Sequence, residues 1–389
     1  MFNILTLNKI AECGLNELPS EQFAVSDDVK NPDGILVRSY VLPQEELNDG
    51  LKAIARAGAG VNNIPVENCA EKGIVVFNTP GANANGVKEL VLAGLFLSSR
   101  DVVGGIAWAQ SLAGQTGVPK LVEKGKAQFA GPEVAGKTLG VIGLGAIGVL
   151  VANACRHLGM RVLGYDPYIS VDAAWGLSRG VRKAPDLDSL LSECDYISIH
   201  VPTNSETKGL FNSDVFEKCK KGVRILNFSR AELVDSDAVK EAIENGTVAC
   251  YVTDFPTEAL LGNDKIITIP HLGASTPESE DNCATMAAAQ LRDYLLYGNI
   301  KNSVNFPDCV IPYTGVGKKR VCIIHRNVAK VVGPITSLFA NCSINIDNMI
   351  NKSEGEYAYT MLDVDIDCIK GDIEEELLKI PNIIKVRVI

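Results

Sequence analysis

The sequence lacks two features that would each point to a distinct class of protein. It has no excess of positive charge, because 37 Lys and Arg stand against 47 Asp and Glu and give a net charge of −10. Nucleic-acid binding depends on Lys and Arg that neutralise phosphates, so we expect no nucleic-acid partner. The longest apolar stretches, such as 90–97, fall well short of the roughly 18 residues of a membrane-spanning helix, so we expect no membrane partner. Small anions respond to local fields and are not excluded.

Disulfide and metal-binding patterns are also missing. The 11 cysteines are scattered from Cys13 to Cys368, without a C-x-x-C pair and without histidine at the spacing of a zinc site. The N-terminal residues have no basic lead and no small-residue cleavage site, which predicts a first strand rather than a signal peptide. We therefore expect no metal, and a cytoplasmic location with reduced thiols.

The patterning predicts an α/β protein of two or three domains. Short apolar runs alternate with helical patterns over 1–100, which indicates βα units and a parallel sheet. One helical pattern covers 86–113, and a Gly-, Lys- and Pro-rich stretch over 114–137 predicts a loop. From Thr138, six β-rich runs separated by helices predict a doubly wound sheet.

The C-terminal part predicts a separate small module. A long helix is expected to end at Gly298, and residues 302–319, with two Pro, two Gly and no helical period, predict a linker. From Arg320 the order strand, helix, strand, strand, helix, strand predicts a ferredoxin-like βαββαβ module. The expected fold is therefore two Rossmann-like parallel-sheet lobes plus this module.

The strongest single motif is V-I-G-L-G-A-I-G over 141–148. It follows a predicted strand and opens an apolar helix, and Asp166 ends the next strand 23 residues after Gly143. Gly143 suits a tight turn, Gly145 the approach of a pyrophosphate, and Gly148 close packing of helix on strand. The Asp166 carboxylate would accept hydrogen bonds from a ribose and repel a 2′-phosphate, which favours NAD over NADP. The alternative is a tight turn without ligand.

Only four histidines are present, so candidates for proton transfer are few. His271 directly follows a strand and a Pro, and carboxyl ends of parallel strands line the ligand crevice of such sheets. Arg230 follows another strand, where a guanidinium would hold a carboxylate. Glu258 follows a third, where a carboxylate would steady an imidazolium. Each alone is as consistent with a core or surface residue, but together they favour hydride transfer between NAD and an α-hydroxy acid.

At these residues the sequence resembles the D-isomer-specific 2-hydroxyacid dehydrogenases. The matching segments lie at 78–90, 136–148, 164–168, 200–210, 227–235, 254–258 and 270–276. The resemblance implies a substrate-binding domain over 1–97 and 286–301, an NAD-binding domain over 98–285, a linker over 302–319 and an ACT regulatory domain over 320–389. It places the catalytic residues of the family on Arg230, Glu258 and His271.

The resemblance also implies which residues contact the ligands. The cofactor-contacting positions would be Thr79, Gly143, Gly145, Ala146, Ile147, Gly148, Asp166, Val201, Phe228, Asp254, Gly273 and Ala274. The substrate-contacting positions would be Arg38, Ser39, Arg56, Gly58, Ala59, Gly60 and Asn83. Two arginines and consecutive backbone N–H groups suit a doubly anionic substrate. The alternative for Arg38 and Arg56 is a solvated surface charge.

In the C-terminal module, His325, Asn327 and Asn345 resemble an L-serine site that forms between two paired ACT domains. This implies a homo-oligomer, either dimer or tetramer, with L-serine as an effector. The alternative is a module that only dimerises.

The form R-A-G-x-G-V-x-N at 56–63 is typical of the family members that act on a phosphorylated substrate. The resemblance therefore implies NAD-dependent oxidation of 3-phosphoglycerate to 3-phosphohydroxypyruvate, the first step of L-serine synthesis. Three alternatives stay open: a reductase of hydroxypyruvate, glyoxylate or 2-oxoglutarate, a non-catalytic NAD sensor, and a serine sensor that acts through its C-terminal module.

Overall fold

The computed structural model describes residues 1–312, 317–365 and 373–389. The chain divides into two compact units. Unit 1 contains Met1–Asn83 and Glu280–Ile389, and unit 2 contains Ala84–Ser279. The predicted division into three domains and a linker stays a prediction, since compactness alone does not define a domain.

The N-terminal part of unit 1 forms a five-stranded parallel sheet in the order β2-β1-β3-β4-β5. Its elements are β1 (Phe2–Leu7), α1 (Glu12–Leu15), β2 (Phe23–Ser26), β3 (Gly34–Val37), β4 (Ala53–Arg56), α2 (Val66–Glu71) and β5 (Val75–Phe77). The predicted strands are confirmed, and β2, with the sequence F-A-V-S, is an additional strand that the apolar runs did not predict. β3 and β5 are buried at every residue, as expected for strands of a parallel sheet that is covered on both faces.

Unit 2 contains a seven-stranded parallel sheet in the order β12-β11-β10-β9-β6-β7-β8. Its strands are β6 (Thr138–Ile142), β7 (Arg161–Tyr165), β8 (Val181–Lys183), β9 (Tyr196–Ile199), β10 (Val223–Asn227), β11 (Val248–Thr253) and β12 (Ile266–Thr268). The strand order reverses direction at β6, the place where such sheets bind ligands. All six predicted strands are present, and β8 was missed because V-R-K carries two charges and no apolar run.

The helices of unit 2 differ from the prediction in two places. They are α3 (Ala84–Ser99), α4 (Val102–Ser111), α5 (Val118–Gly125), α6 (Ala146–His157), α7 (Val171–Gly176), α8 (Leu187–Glu193), α9 (Ser213–Glu217) and α10 (Ser236–Glu244). The single helix predicted over 86–113 is two helices bent by 68°, because Asp101 caps α4 by accepting a hydrogen bond from the N–H of Gly104. The loop predicted over 114–137 contains α5, which has Pro119 in its first turn.

The C-terminal part of the chain begins with α11 (Pro277–Tyr297), which belongs to unit 1 from Glu280 onward. It continues with β13 (Lys318–Arg326), α12 (Val332–Asn341), β14 (Ile346–Glu354), β15 (Tyr357–Asp365), α13 (Ile373–Leu378) and β16 (Ile383–Val388). The four strands form an antiparallel sheet in the order β14-β15-β13-β16, so the predicted βαββαβ element order is confirmed.

One face of this antiparallel sheet belongs to the core of unit 1. Val321 and Ile323 pack on the side of α12 and α13. Cys322 and Tyr359, on the opposite face, share a core with Leu291 of α11 and with residues of the N-terminal sheet. Both faces of the sheet are apolar and both are covered. One face packs against the module's own helices, and the other packs against the rest of unit 1.

The predicted linker over 302–319 is packed for much of its length. Phe306 and Cys309 are fully buried, and Asn305 bonds the backbone of Val76 and Ile74, in and beside β5. The last residues of the predicted linker already belong to β13. Proline and glycine content signalled irregular backbone correctly here but gave no information about burial.

No single helix among the described residues is long and apolar enough to cross a membrane. The bent pair of α3 and α4 passes the same test by length and composition only.

Candidate active site

The glycine loop connects β6 to α6, and its three glycines differ in what surrounds them. Gly143 has φ +88°, and a Cβ there would lie 2.5 Å from the carbonyl oxygen of His200. A Cβ at Gly148 would lie 2.0 Å from the carbonyl oxygen of Gly143, so helix and loop touch at this point. A Cβ at Gly145 would meet nothing within 4 Å. The space beside Gly145 is therefore open, as a loop that receives a ligand requires.

The N-terminus of α6 offers unoccupied donors beside that space. Gly145 is the N-cap and supplies no side-chain hydrogen bond to the first turn, which begins with Ala146 and Ile147. Free N–H groups and the helix dipole both favour an anion there. Asp166 closes the loop, since its carboxylate accepts hydrogen bonds from the N–H groups of Leu144 at 2.8 Å and Tyr168 at 2.9 Å.

Three predicted or nearby residues at the ends of β9 and β10 have side chains that pack inside the protein and are not available to bind a ligand. Burial lowers the pKa of His200 to about 4, and its Nε2 atom lies 2.8 Å from Ser198 Oγ, so this histidine is neutral at physiological pH. Phe228 is 5% exposed and belongs to the core beside α3. Val201 is half-buried against the core on the other side of the sheet.

The carboxyl ends of β10, β11 and β12 bring Arg230, Asp254 and His271 into one charged cluster. Asp254 is 1% exposed and follows β11, and its Oδ1 atom has no hydrogen-bond partner among the described residues. Burial raises the pKa of Asp254, while the nearby charges of His271 and Arg230 act in the opposite direction. His271 is exposed and its ring lies 4.8 Å from that of Phe255, centroid to centroid. A buried carboxylate with a free oxygen therefore lies near an accessible histidine and an accessible arginine.

The backbone that carries Arg230 is fixed by a buried asparagine that the sequence patterns did not single out. Asn227, the last residue of β10, is fully buried, and its Nδ2 atom donates to the carbonyl oxygen of Arg230 at 2.8 Å. Its Oδ1 atom accepts from the N–H of Ser229, whose hydroxyl donates to the carbonyl oxygen of Ile199 at 2.8 Å. In the sequence, the polar Asn227 at the end of the mainly apolar strand β10 is the feature that could have indicated this role.

Glu258 is not brought to His271. It is exposed in a turn after β11, and no hydrogen bond or ion pair joins it to His271 in the described part of the chain. The carboxylate on which the charge of His271 acts is that of Asp254. Spacing along the chain placed Glu258 near the histidine, but the turn directs it into solvent. Gly273 lies beside Asp254, because a Cβ there would come within 3.6 Å of Asp254 Oδ2, and Ala274 follows it exposed.

In unit 1 the two predicted substrate arginines already have protein partners. Arg38 forms an ion pair with Glu280 while its side chain stays 43% exposed. Arg56 donates from Nε to the carbonyl oxygen of Arg38 at 3.0 Å and from Nη1 to that of Gly60. Burial lowers the pKa of Arg56. Arg56 therefore holds the turn after β4 in place, and Arg38 is the more accessible of the two cations.

The turn over 58–60 has two backbone donors available. The N–H of Gly58 is used by the carbonyl oxygen of Arg56, and Asn78 binds the carbonyl oxygen of Ala59. The N–H groups of Ala59 and Gly60 donate to no protein atom within the described residues. Two adjacent free N–H groups form a receptor for a carboxylate oxygen.

Three further predicted residues lie around this turn or next to it in the chain. Thr79 is fully buried, and its N–H donates to the carbonyl oxygen of Gly58. The N–H of Ser39 donates to Asn8 Oδ1 at 2.9 Å, and Asn83 is half-buried at the end of this part of unit 1.

Residues 105–273 match the family model described as D-isomer specific 2-hydroxyacid dehydrogenase, NAD binding domain. This part of the chain is similar to the NAD-binding domain of that family. The match covers the glycine loop, Asp166, and the cluster of Arg230, Asp254 and His271.

Two curated proteins and one solved structure are similar to most of this chain. The D-3-phosphoglycerate dehydrogenase of Methanocaldococcus jannaschii is 34% identical over 337 residues, which cover 84% of this chain and 61% of that protein. The D-3-phosphoglycerate dehydrogenase of Rattus norvegicus is 35% identical over 324 residues, covering 79% and 58%. The NAD+-bound 3-phosphoglycerate dehydrogenase of Entamoeba histolytica superposes with a TM-score of 0.60 at 27% identity, covering 78% of this chain and 98% of that one. The chain spans between 50% and 61% of the length of the first curated relatives it matches.

In the C-terminal module, each of the predicted serine ligands is hydrogen-bonded to another residue of the same module. His325 is 2% exposed, and its Nε2 atom lies 3.0 Å from Thr360 Oγ1 and 3.2 Å from Asn351 Oδ1. Asn327 donates to the carbonyl oxygen of Gly355, and Asn345 donates to Asp347 Oδ1. No hydrogen bond links His325, Asn327 and Asn345 to one another in the part of the chain that the structure describes.

Proposed function

We propose that this chain is an NAD-dependent dehydrogenase that oxidises 3-phospho-D-glycerate to 3-phosphohydroxypyruvate, the first step of L-serine synthesis. The observation that carries the proposal is the cluster of Arg230, Asp254 and His271 at the carboxyl end of the NAD-binding sheet. The similarity to proteins named D-3-phosphoglycerate dehydrogenase supports the substrate.

The residues of unit 2 fit NAD as the cofactor. The open space at Gly145 and the uncapped start of α6 would receive its pyrophosphate, and Asp166 its adenosine ribose. The unpartnered Oδ1 atom of Asp254 would accept a hydrogen bond from its carboxamide. When bound, NAD supplies the acceptor for the hydride that leaves C2 of the substrate.

The chemical roles follow from charge and position. His271 would take the proton of the C2 hydroxyl as C2 becomes a carbonyl carbon. Arg230 would bind the substrate carboxylate and the developing carbonyl oxygen, because a guanidinium donates two parallel hydrogen bonds. Glu258 is proposed to stabilise the imidazolium of His271, which requires its turn to move from the exposed position that we observe.

In unit 1, the free N–H groups of Ala59 and Gly60 would donate to a carboxylate oxygen, with Arg38 and Ser39 near the other anionic group. Arg56 would act by bracing this turn, since its Nε and Nη1 atoms donate to two carbonyl oxygens.

A second candidate is a reductase of unphosphorylated keto acids such as hydroxypyruvate, glyoxylate or 2-oxoglutarate. The ion pair between Arg38 and Glu280 favours it, because a phosphate group would have to displace that carboxylate. The two candidates differ in what Arg38 binds.

The kcat/KM of NADH oxidation with each keto acid separates the candidates. We expect 3-phosphohydroxypyruvate to be preferred, and Arg38→Gln to lose that preference while Arg100→Gln, at an exposed site, keeps it. Equal kcat/KM values for phosphorylated and unphosphorylated keto acids would overturn the proposed substrate.

We also propose that the C-terminal βαββαβ module is an ACT domain that binds L-serine between two copies of the chain in a homo-oligomer. The antiparallel sheet and its strand order support this proposal. L-serine should inhibit the wild type, and inhibition that survives Asn345→Ala would contradict the proposed site. We further propose a reducing, cytoplasmic setting, supported by ten described cysteines that are all free thiols.

A further inference from the structure

A pocket of about 310 Å³ in unit 2 is lined by four arginines. They come from four separate segments: Arg156 from the last turn of α6, Arg161 from the start of β7, Arg179 from the loop before β8, and Arg182 from β8. The volume is at the lower end of the range for small-molecule sites.

The lining of this pocket has an excess of positive charge. None of the four arginines forms an ion pair with a carboxylate in the described part of the chain, although the chain as a whole carries a net charge of −10. Arg156 donates from Nη1 to the carbonyl oxygen of Met160, and its Nε atom is buried without a partner. Glu193 is the one acidic residue of the lining, and it is exposed. Four like charges around one cavity repel one another, so an anion bound between them would reduce this electrostatic repulsion.

The pocket lies away from the candidate cofactor site. Thr138 and Arg161, the first residues of β6 and β7, belong to its lining. The glycine loop and Asp166 follow the opposite, carboxyl ends of the same two strands. The arginines are therefore not part of the dinucleotide-binding loop, and the proposed reaction does not use them.

We propose that this arginine pocket is a second anion site, which binds a small ligand with several clustered phosphate charges, such as a condensed phosphate. Guanidinium groups bind phosphate oxygens through paired hydrogen bonds, and arginines from separate segments surround such a ligand without a large rearrangement.

Isothermal titration calorimetry with inorganic tripolyphosphate at low ionic strength tests the proposal on the whole chain. We expect saturable binding that is at least tenfold weaker in Arg161→Gln/Arg182→Gln and unchanged in Arg100→Gln, which removes an exposed arginine elsewhere in unit 2. Glu193→Gln should tighten binding, because it removes the acidic side chain of the lining. Both altered arginines are exposed, so matching thermal unfolding curves should show that the variants fold.

A parallel titration with ATP distinguishes a free condensed phosphate from one attached to a nucleoside, and tighter binding of either ligand supports the site. The same titrations with saturating NADH separate this pocket from the glycine loop, since tripolyphosphate should still bind. Equal binding by wild type and the double arginine variant would overturn the proposal. So would complete loss of binding when NADH is present, or no binding by the wild type.

Discussion

The side chain of Asn227 donates from Nδ2 to the backbone carbonyl oxygen of Arg230 at 2.8 Å. The asparagine is fully buried, while the arginine it supports is exposed. The buried side chain of Asn227 therefore fixes the backbone that carries the proposed substrate-binding guanidinium of Arg230.

Asn227→Ala should reduce both stability and turnover. The variant leaves the N–H of Ser229 without its acceptor and the carbonyl oxygen of Arg230 without its donor, and each part-buried hydrogen bond lost costs about 1 kcal/mol. A misplaced Arg230 should lower kcat by about tenfold or more. Urea unfolding and steady-state kinetics measure the two effects. Tyr251→Phe is the control, because it removes the hydroxyl contacts of Tyr251 with Asn227 and Thr253 but keeps the bonds of Asn227 to Ser229 and Arg230. Unchanged kcat in Asn227→Ala would show that the network does not position Arg230.

His271→Ala should depress kcat by roughly 10²–10⁴-fold, because it removes the proposed general base. NADH binding, measured by fluorescence titration, should change little. His157→Ala is the matched control, since His157 is also exposed but lies in α6. Turnover near that of the wild type would refute the assignment of His271.

His200 should make the protein sensitive to acid. Its folded-state pKa of about 4 is below the ordinary value of 6.5, so the unfolded chain binds a proton more readily than the folded chain. The free energy of unfolding should therefore fall as the pH falls from 6.5 to about 4, by about 3 kcal/mol from this residue, with no contribution above 6.5. Urea unfolding from pH 7 to pH 4 should show a shallower fall in His200→Gln than in His157→Gln. Identical slopes in the two variants would exclude His200 as the cause.

The buried ion pair of the C-terminal sheet should be sensitive to the loss of one partner. Arg320 and Asp363 join through two contacts, Nε to Oδ1 at 2.7 Å and Nη2 to Oδ2 at 3.0 Å. Asp363→Ala leaves a buried guanidinium without its carboxylate and should cost about 3–5 kcal/mol. Glu356→Ala breaks the exposed pair with Arg326 and should cost less than about 1 kcal/mol. Comparable losses in the two variants, measured by urea unfolding, would contradict the assigned difference.

The elements predicted correctly are those with strong local signals. The glycine loop was recognised because a strand, three spaced glycines and an apolar helix occur together, and the structure shows a different steric setting for each glycine. The βαββαβ order followed from alternating apolar strands and two helical patterns. The missed strand β8 and helix α5 are short and rich in charge, so neither carries a clear apolar run.

The candidate site was harder to predict because it depends on direction and burial. Asp254 and Glu258 are four residues apart and both acidic, yet one is 1% exposed and the other lies in an exposed turn. Arg56 matches a substrate-binding pattern, but its Nε and Nη1 atoms donate to carbonyl oxygens that the chain fold brings close. Such partners are set by how the backbone turns in three dimensions, so spacing within a motif does not reveal them.

Unit 1 is formed by two segments from opposite ends of the chain, and this has a consequence for folding during synthesis on the ribosome. Leu291 in α11 and Cys322 in β13 complete the core that also contains Ile4 of β1. The N-terminal sheet therefore cannot complete that core until unit 2, α11 and β13 have been made, whereas unit 2 is continuous in sequence and can fold as soon as it emerges. During that interval the growing chain exposes an apolar sheet face, and the dependence on chaperones should be concentrated there.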